Sequence, residues 1–208
     1  MRYALVLWDF DGTLADTLPG LLRIFNELAP ELGFAPITDV QAIRDTTPTQ
    51  FFKAHGIPLW KLLALRHAIV ARQKSHMASI RLYPGVPDVL ERLGGSGCRM
   101  GIVSSNAEDN IRTCLRANGV EPSFEFIVGH SRLLGKQRAL RRVLRQTALR
   151  SRDVLYVGDE VRDIAAAQDV GMDVAAVTWG MNSRSLLAQH SPTQLIDGPE
   201  QLLDWPER

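Results

Sequence analysis

The chain has 208 residues, of which 45% are hydrophobic and 23% are charged, and its formal net charge is +1. This length can bury a sizeable core, either in one domain or in a core domain with a small appendage. The near-zero net charge argues against a nucleic-acid-binding or membrane-surface protein, because such proteins normally carry a marked basic excess. We therefore expect no nucleic-acid or membrane partner, whereas a small anionic substrate needs only a few placed cations.

Cysteine usage and hydropathy indicate a reducing compartment. The two cysteines, Cys98 and Cys114, lack the paired spacing of a disulfide framework or a zinc site. No apolar stretch approaches the ~20 residues that span a bilayer, and the first residues lack the apolar segment of a signal peptide. The sequence thus predicts a cytoplasmic protein, and its oligomeric state cannot be read from these patterns.

The first predicted element is a buried strand at residues 3–8, which ends on the pair Asp9 and Asp11. Gly12 and Thr13 indicate a turn directly after this strand, so that both carboxylates can converge on one pocket. A polar turn explains most Asp-Gly pairs, but it leaves Asp9 unexplained, because Asp9 stands where the strand should still be apolar. A bound cation would stabilise two converging carboxylates.

Residues 17–81 are predicted to be helical. Apolar residues first recur at spacings of three and four, which predicts a helix that ends near Gly33. Two capping-box patterns, with Thr38 and Thr47 as N-caps, predict two short helices. A further helix is expected at 59–76. The whole segment therefore reads as an all-helical insertion after a strand.

The chain then alternates between strands and helices. The predicted strands lie at 99–103, 124–128, 154–157, 174–177 and 194–196. The predicted helices lie at 87–93, at 106–118 with Asn106 as its N-cap, at 135–148 and at 161–170, and a short helix ends at 203. This alternation predicts an α/β protein with a doubly wound parallel sheet that is covered by helices on both faces.

Ligands bind such sheets at the carboxyl ends of the strands. Four of the predicted strands are followed there by chemically useful residues: Asp9 and Asp11; Ser104, Ser105 and Asn106; Lys136; and Asp159 and Asp163. Carboxylates without a thiol or a paired histidine suit a hard cation such as Mg²⁺. Phosphoryl transfer needs a nucleophile, an acid for the leaving oxygen and positive charge around the phosphoryl oxygens. This set of residues provides all three.

Four motifs of the chain resemble those of the haloacid dehalogenase superfamily of phosphohydrolases: Asp-Phe-Asp-Gly-Thr-Leu at 9–14, Ile-Val-Ser-Ser-Asn at 102–106, Gly-Lys at 135–136 and Val-Gly-Asp-Glu-Val-Arg-Asp at 157–163. The helical insertion is similar to the small C1-type cap of the phosphoglycolate phosphatase-like branch. The resemblance covers nearly the whole chain. It implies a Rossmann-like core domain at 1–16 and 82–208 and a helical cap domain at 17–81.

The resemblance also implies catalytic roles. Asp9 would attack phosphorus and become an aspartyl phosphate, which splits one displacement into two easier ones. Asp11 would protonate the leaving alcohol and then deprotonate the attacking water. Ser104 would hydrogen-bond the phosphoryl group, although the adjacent Ser105 is an alternative for this role. Lys136 would offset the negative charge of the phosphoryl group.

A Mg²⁺ cofactor and a small phosphorylated metabolite are implied in the same way. The predicted metal site comprises four aspartates, of which the second contributes its backbone carbonyl: Asp9, Asp11, Asp159 and Asp163. The predicted substrate contacts are Thr13, Ser105, Asn106 and, in the cap, Arg44. Glu160 is interpreted as a charge at the start of a helix rather than as a metal ligand. Trp60, also in the cap, is expected to pack against other side chains rather than to contact the substrate.

The resemblance favours a Mg²⁺-dependent phosphatase for a small phosphomonoester, such as phosphoglycolate or a sugar phosphate, over three other functions. Dehalogenases of this superfamily generally lack the second aspartate, here Asp11. A β-phosphoglucomutase-like mutase shares the cap and both aspartates, but Gly158 and Asp159 are more similar to the phosphatase form. A catalytically silent phosphate-binding regulatory protein would have no need to keep the whole set. The phosphatase is therefore the leading hypothesis, and the mutase and the silent protein stay open.

Overall fold

A six-stranded parallel sheet forms the centre of the computed structural model, which describes residues 3–129 and 135–204. Its strands are β1 (Leu5–Trp8), β2 (Arg99–Val103), β3 (Phe126–Val128), β4 (Val154–Gly158), β5 (Asp173–Val177) and β6 (Gln194–Ile196). Their order is β3-β2-β1-β4-β5-β6, and each neighbouring pair runs parallel. The predicted doubly wound α/β fold is confirmed.

Helices connect these strands throughout the described residues. The α-helices are α1 (Leu18–Leu32), α2 (Val40–Arg44), α3 (Pro48–Ala54), α4 (Leu62–Gln73), α5 (Val86–Gly95), α6 (Glu108–Ala117), α7 (Lys136–Thr147), α8 (Val161–Gln168) and α9 (Arg184–Gln189). Short 3-10 helices lie at Leu59–Lys61, Lys74–Ser79, Glu121–Ser123, Ser151–Asp153 and Pro199–Leu203. In this part of the chain no helix combines the length and the apolar character that a bilayer span requires.

Strand β1 lies in the middle of the sheet, and all four of its side chains are buried. Successive side chains of a strand point to opposite faces. Val6 and Trp8 accordingly belong to one apolar cluster, and Leu5 and Leu7 belong to another on the opposite face. Helices cover both clusters, as a fully parallel sheet requires. The carboxyl ends of the strands are therefore the edge at which polar groups can gather.

The helical segment after β1 has an apolar cluster of its own, formed by Ile24, Phe25, Leu28, Ala29, Phe34, Ile37, Ile57 and Leu65. The two chain crossings that lead into and out of this segment run side by side. The amide of Asp16 donates to the carbonyl of Arg81 at 3.0 Å, and the amide of Tyr83 donates to the carbonyl of Leu14 at 3.0 Å. The division into a core at 1–16 and 82–208 and a cap at 17–81 stays a prediction, which this separate cluster supports.

Two predicted N-caps are wrong, and the structure gives the reason for each. Helix α2 begins one residue later than expected, so that Asp39 rather than Thr38 is its N-cap and accepts from the amide of Ala42 at 3.1 Å. Helix α6 begins at Glu108 with Ala107 as its N-cap residue, so Asn106 lies one residue too early to cap it, and its Oδ1 accepts from the amide of Ala107 at 2.8 Å. The capping box at Thr47, in contrast, is confirmed.

Other expectations for the helices also need correction. The single helix expected at 59–76 is broken into a 3-10 helix, α4 and a second 3-10 helix. Trp60 was expected to pack, but it lies in the first of these short helices and is 76% exposed. Helix α9 was not predicted. The feature of the sequence that indicates this helix is its N-cap residue Ser183. The Ser183 hydroxyl accepts from the amide of Leu186 at 3.3 Å.

Two glycines of α1 allow a matched test of backbone conformation. Gly33 ends the helix in the left-handed region with φ 72°, whereas Gly20 lies inside the helix, and a Cβ at either position would meet no atom within 4 Å. We expect Gly33→Ala to lower the free energy of unfolding by about 1–2 kcal/mol, because a left-handed conformation is unfavourable for L-residues. Gly20→Ala should raise it by about 0.5–1 kcal/mol through helix propensity. Urea denaturation of both variants checks the two signs, and a shift in the same direction would contradict the assignment of the helix end.

Candidate active site

The chain turns sharply at the end of β1. The amide of Asp9 still continues the ladder by donating to the carbonyl of Val157 at 2.8 Å, and the Asp9 Oδ1 atom accepts from the amide of Phe10 at 2.7 Å. Gly12 then adopts φ +77°, and a Cβ at this position would lie 2.2 Å from Asp159 Oδ2. Glycine is therefore needed both for the turn and for the close approach of the loop to Asp159.

Three buried carboxylates meet at this edge of the sheet. One oxygen from each of Asp9, Asp159 and Asp163 lies within 4.8 Å of the others. The ammonium of Lys136, at the start of α7, lies 2.6 Å from Asp9 Oδ2 and 2.5 Å from Asp163 Oδ1. The structure thus brings together four of the predicted site residues from the ends of β1 and β4 and from the helices α7 and α8.

Burial makes the negative charge of this centre costly. It raises the pKa of Asp159 well above its usual value, and the charges of Glu160, Asp163 and Asp9 act in the same direction. Burial also raises the pKa of Asp163 to about 6, although the nearby Lys136 opposes this shift. For Lys136 burial acts to lower the pKa, but the carboxylates of Asp163 and Asp9 raise it well above its usual value. Lys136 contacts two of the three carboxylates, so a further cation would stabilise the centre.

The donor set fits Mg²⁺. Its side-chain ligands are carboxylate oxygens, which are the ligands that hard cations prefer. Hydrogen bonds hold Asp159 in place, because its Oδ1 accepts from the Thr13 hydroxyl at 2.7 Å and its Oδ2 accepts from the amide of Met181 at 2.7 Å. Asp163 Oδ2 accepts from the amide of Glu160 at 3.1 Å. Such partners orient ligands and tune their affinity for a metal.

Glu160 lies at the start of helix α8, as the sequence predicted. Its carboxylate accepts from Arg162 Nη2 at 2.5 Å. Thr13, one of the predicted substrate contacts, is fully buried, and its hydroxyl is directed to Asp159. Thr13 therefore holds Asp159 in place through this hydrogen bond. Its role as a substrate contact stays a prediction.

Asp11 has different surroundings from Asp9. Its two carboxylate oxygens accept from Asn106 Nδ2 at 3.1 and 3.0 Å. Burial, together with the charge of Asp9, raises the pKa of Asp11 to about 6 although the hydrogen bond from Asn106 opposes this shift. Asn106 is itself held by Asn110 Nδ2, which donates to its Oδ1 at 3.0 Å. Asp11 is thus a carboxyl group whose surroundings favour the protonated form far more than those of an ordinary aspartate.

The two adjacent serines after β2 are placed differently. Ser104 is fully buried, its amide donates to the carbonyl of Val128 at 3.0 Å, and its hydroxyl accepts from the amide of Asn106 at 3.2 Å. Ser105 is partly exposed, and its carbonyl accepts from Arg66 Nη2 at 2.8 Å. Which hydroxyl would contact a phosphoryl group stays a prediction.

A cavity of about 250 Å³ lies between the ends of the strands and the helical segment. Its polar side is lined by Asp11, Arg66, Gln73, Ser105, Asn106, Asp159, Glu160, Arg162 and Asn182. Its apolar side is lined mainly by residues of α1 to α4: Leu18, Leu21, Leu22, Phe25, Ile37, Ile43, Phe51, Phe52, Leu62, Leu65, Ile69 and Val70. Asp11 and Asp159 therefore border a space that a small molecule could fill.

Arg44 does not line this cavity. Its guanidinium donates to the carbonyl of Thr178 at 2.8 Å, and it borders a separate shallow depression together with Ser183 and Arg184. Its carbonyl accepts from the amide of Ser183 at 2.8 Å. Arg44 thus joins α2 to the loop after β5, and its proposed contact with a substrate is left without support from the cavity.

Four polar residues of the cavity were not predicted from the sequence: Arg66, Gln73, Arg162 and Asn182. Gln73 is 3% exposed, its Oε1 accepts from Asn106 Nδ2 at 3.4 Å, and its Nε2 has no hydrogen-bond partner among the described residues. The sequence did contain a signal for the two residues of α4, because residues three and four positions apart lie on the same face of a helix. Arg66, Ile69, Val70 and Gln73 follow that spacing in α4, and Arg162 lies within the fourth motif.

Comparisons with known proteins agree with this geometry. The family described as haloacid dehalogenase-like hydrolase matches residues 6–177. A phosphoglycolate phosphatase of Synechococcus elongatus is 34% identical, over 95% of this chain and 94% of its own length. An N-acetylmuramic acid 6-phosphate phosphatase of Pseudomonas aeruginosa is 26% identical, over 98% of this chain and 95% of its own length.

The solved structures show the same fold. The structure of CbbY from Rhodobacter sphaeroides in complex with phosphate has a TM-score of 0.74 at 22% identity and covers 96% of both chains. The family match spans most of the chain, and the Synechococcus relative is similar over nearly its full length. The chain therefore belongs to the haloacid dehalogenase-like hydrolases, and it is a phosphatase of their phosphoglycolate phosphatase-like branch.

Proposed function

We propose that the protein is a Mg²⁺-dependent phosphatase that hydrolyses a small phosphomonoester through an aspartyl phosphate on Asp9. The observation that carries the proposal is the contrast between two carboxylates that stand two residues apart. Asp9 is paired with the buried ammonium of Lys136 at 2.6 Å, whereas Asp11 is paired with an amide and has a pKa of about 6. One is suited to attack as an anion and the other to carry a proton.

The first step forms the covalent intermediate. A carboxylate oxygen of Asp9 attacks phosphorus, the bond between phosphorus and the ester oxygen breaks, and the departing alkoxide takes the proton of Asp11. Asp11 is then an anion, and Asn106 Nδ2 donates to both of its oxygens at 3.1 and 3.0 Å. Such charge-assisted hydrogen bonds are stronger than neutral ones.

The second step releases phosphate. Asp11 takes a proton from a water molecule, the resulting hydroxide oxygen attacks phosphorus, and the carboxylate of Asp9 leaves. Lys136 lies between Asp9 and Asp163, where its ammonium offsets negative charge in both steps. Ser104, buried at the end of β2, would donate a hydrogen bond to a phosphoryl oxygen. Each group starts and ends the cycle in the same protonation state.

Mg²⁺ would be held by the carboxylates of Asp9 and Asp159 and by the backbone carbonyl of Asp11, with Asp163 as a supporting ligand. When bound, it supplies positive charge that stabilises the negative charge of the phosphoryl oxygens. The three neighbouring carboxylates support this assignment, since Lys136 contacts two of them, Asp9 and Asp163.

The substrate class rests on the relatives and on the cavity. The two curated relatives are named as phosphatases of phosphoglycolate and of N-acetylmuramic acid 6-phosphate, which are both phosphomonoesters but differ in their alcohols. A cavity of about 250 Å³ beside Asp11 and Asp159 suits a small phosphorylated metabolite. We therefore assign the reaction to phosphomonoester hydrolysis and leave the alcohol to the following subsection.

Replacement of the nucleophile tests the reaction. We expect wild-type protein to release p-nitrophenol from p-nitrophenyl phosphate in the presence of Mg²⁺, and Asp9→Asn to abolish the release because the amide cannot form the intermediate. Asp88→Asn, on the exposed surface of α5, makes the same chemical change away from the site and should leave the rate unchanged. The proposal fails if the wild type is inactive or if Asp9→Asn is as active as the wild type.

The metal site can be tested without turnover. Binding to the folded state stabilises a protein by about 2.7 kcal/mol when the ligand is present at about 100 times its Kd. We therefore expect Mg²⁺ to raise the melting temperature of the wild type. Asp159→Asn should strongly reduce this increase, because it replaces a negatively charged ligand by a neutral one. Asp88→Asn should keep the increase, and an unchanged increase in Asp159→Asn would remove Asp159 from the metal site.

A further inference from the structure

The cavity has two chemically different sides. Asp11 and Asp159 lie on the polar side, where the proposed chemistry takes place. Much of the remaining lining is formed by apolar side chains from α1, α3 and α4, among them Phe25, Phe52 and Ile69. A phosphomonoester bound with its phosphoryl group at the aspartates would direct its alcohol towards this apolar side.

Two arginines are among the polar residues that line the cavity. Arg66 Nη2 donates to the carbonyl of Ser105 at 2.8 Å, and Arg162 Nη2 donates to Glu160 Oε1 at 2.5 Å. The aliphatic and aromatic side chains of the lining offer no hydrogen-bond partner to an alcohol that packs against them. Burial of a polar group without such a partner is unfavourable. The apolar part of the lining therefore favours an apolar alcohol.

Some apolar side chains that line the cavity keep solvent-accessible surface that a ligand could cover. Phe52, Leu62 and Ile69 are only partly buried, although their neighbours Phe25 and Leu65 are buried in the apolar cluster of the helical segment. The volume of the cavity is also sufficient for an apolar group the size of benzene. An apolar cavity of about 150 Å³ holds benzene, and this one measures about 250 Å³.

We propose that the physiological substrate is a phosphomonoester whose alcohol carries an apolar body about the size of a benzene ring. The proposal rests on the proposed phosphatase function and specifies its substrate class. The apolar body packs against Phe52, Leu62 and Ile69 while the phosphoryl group lies at Asp9. Burial of apolar surface then contributes to transition-state binding and raises kcat/KM.

A series of alkyl phosphates tests the preference with similar leaving groups. We expect kcat/KM for benzyl phosphate to exceed that for ethyl phosphate and for 2-phosphoglycolate by at least about tenfold, since each methylene in an apolar pocket changes kcat/KM by about 10- to 200-fold. The proposal is overturned if 2-phosphoglycolate or ethyl phosphate is hydrolysed as efficiently as benzyl phosphate.

A matched pair of variants locates the preference in the cavity. Ile69→Gln places an amide in the apolar wall, and Val40→Gln makes a comparable change at an exposed position of α2 that does not line the cavity. We expect Ile69→Gln to lower kcat/KM for benzyl phosphate by about tenfold and to lower that for ethyl phosphate by a smaller factor, and Val40→Gln to change neither. Equal losses on both esters would contradict the proposal. If circular dichroism shows that Ile69→Gln is unfolded, Ile69→Ala provides the same comparison.

Non-hydrolysable phosphonates separate the substrate class from the reaction. Calorimetric titration of wild-type protein with benzylphosphonate and with ethylphosphonate, both in the presence of Mg²⁺, measures binding alone. Tighter binding of benzylphosphonate without hydrolysis of any ester would refute the phosphatase function but keep the apolar binding site. Equal binding of the two phosphonates, with hydrolysis of all the esters at similar kcat/KM, would keep the phosphatase and refute the apolar substrate.

Discussion

The contact of Lys136 with Asp9 and Asp163 is the interaction on which the site depends. It joins residues that are 127 and 27 positions apart in the chain, at distances of 2.6 and 2.5 Å, inside a region closed to solvent. Loss of one partner from a buried ion pair leaves an uncompensated charge, which costs about 3–5 kcal/mol. The end of β1 and the starts of α7 and α8 must therefore stay in register for the charges to remain paired. The parallel sheet provides that register, because its strands all end at the same edge.

The same constraint explains how two aspartates two residues apart acquire different chemistry. Asp9 continues the ladder of the sheet and faces Lys136, whereas the turn at Gly12 carries the chain away from the strand direction. Asp11 consequently contacts Asn106 at the end of the neighbouring β2. Thr13, the next residue of the loop, holds Asp159 through its hydroxyl and accepts from Trp179 Nε1 at 3.1 Å through its carbonyl. One short loop thus contacts the ends of three other strands.

Local patterns were sufficient to predict the sheet and the residues at its edge, because strand periodicity and the position of strand ends depend on neighbours in sequence. The failures share a different cause. Asn106 has the right chemistry for an N-cap, but it precedes the N-cap residue Ala107, and its Nδ2 donates to Asp11, 95 positions away. Gln73 gave no motif signal because its partner lies on another element, and Trp60 was expected to pack although the short 3-10 helix at Leu59–Lys61 leaves it exposed. Side-chain partners that only the tertiary fold brings together cannot be read from spacing.

Helix α4 connects the two sides of the cavity. Ile69 and Val70 contribute to the apolar wall, and Gln73, one turn further along the same face, accepts a hydrogen bond from Asn106 Nδ2, which also donates to Asp11. A displacement of α4 relative to the sheet would therefore alter the apolar wall and the polar surroundings of Asp11 together. This linkage follows from geometry alone, since a helix moves its apolar and polar side chains as one unit. The shape of the cavity and the environment of Asp11 accordingly depend on the same element.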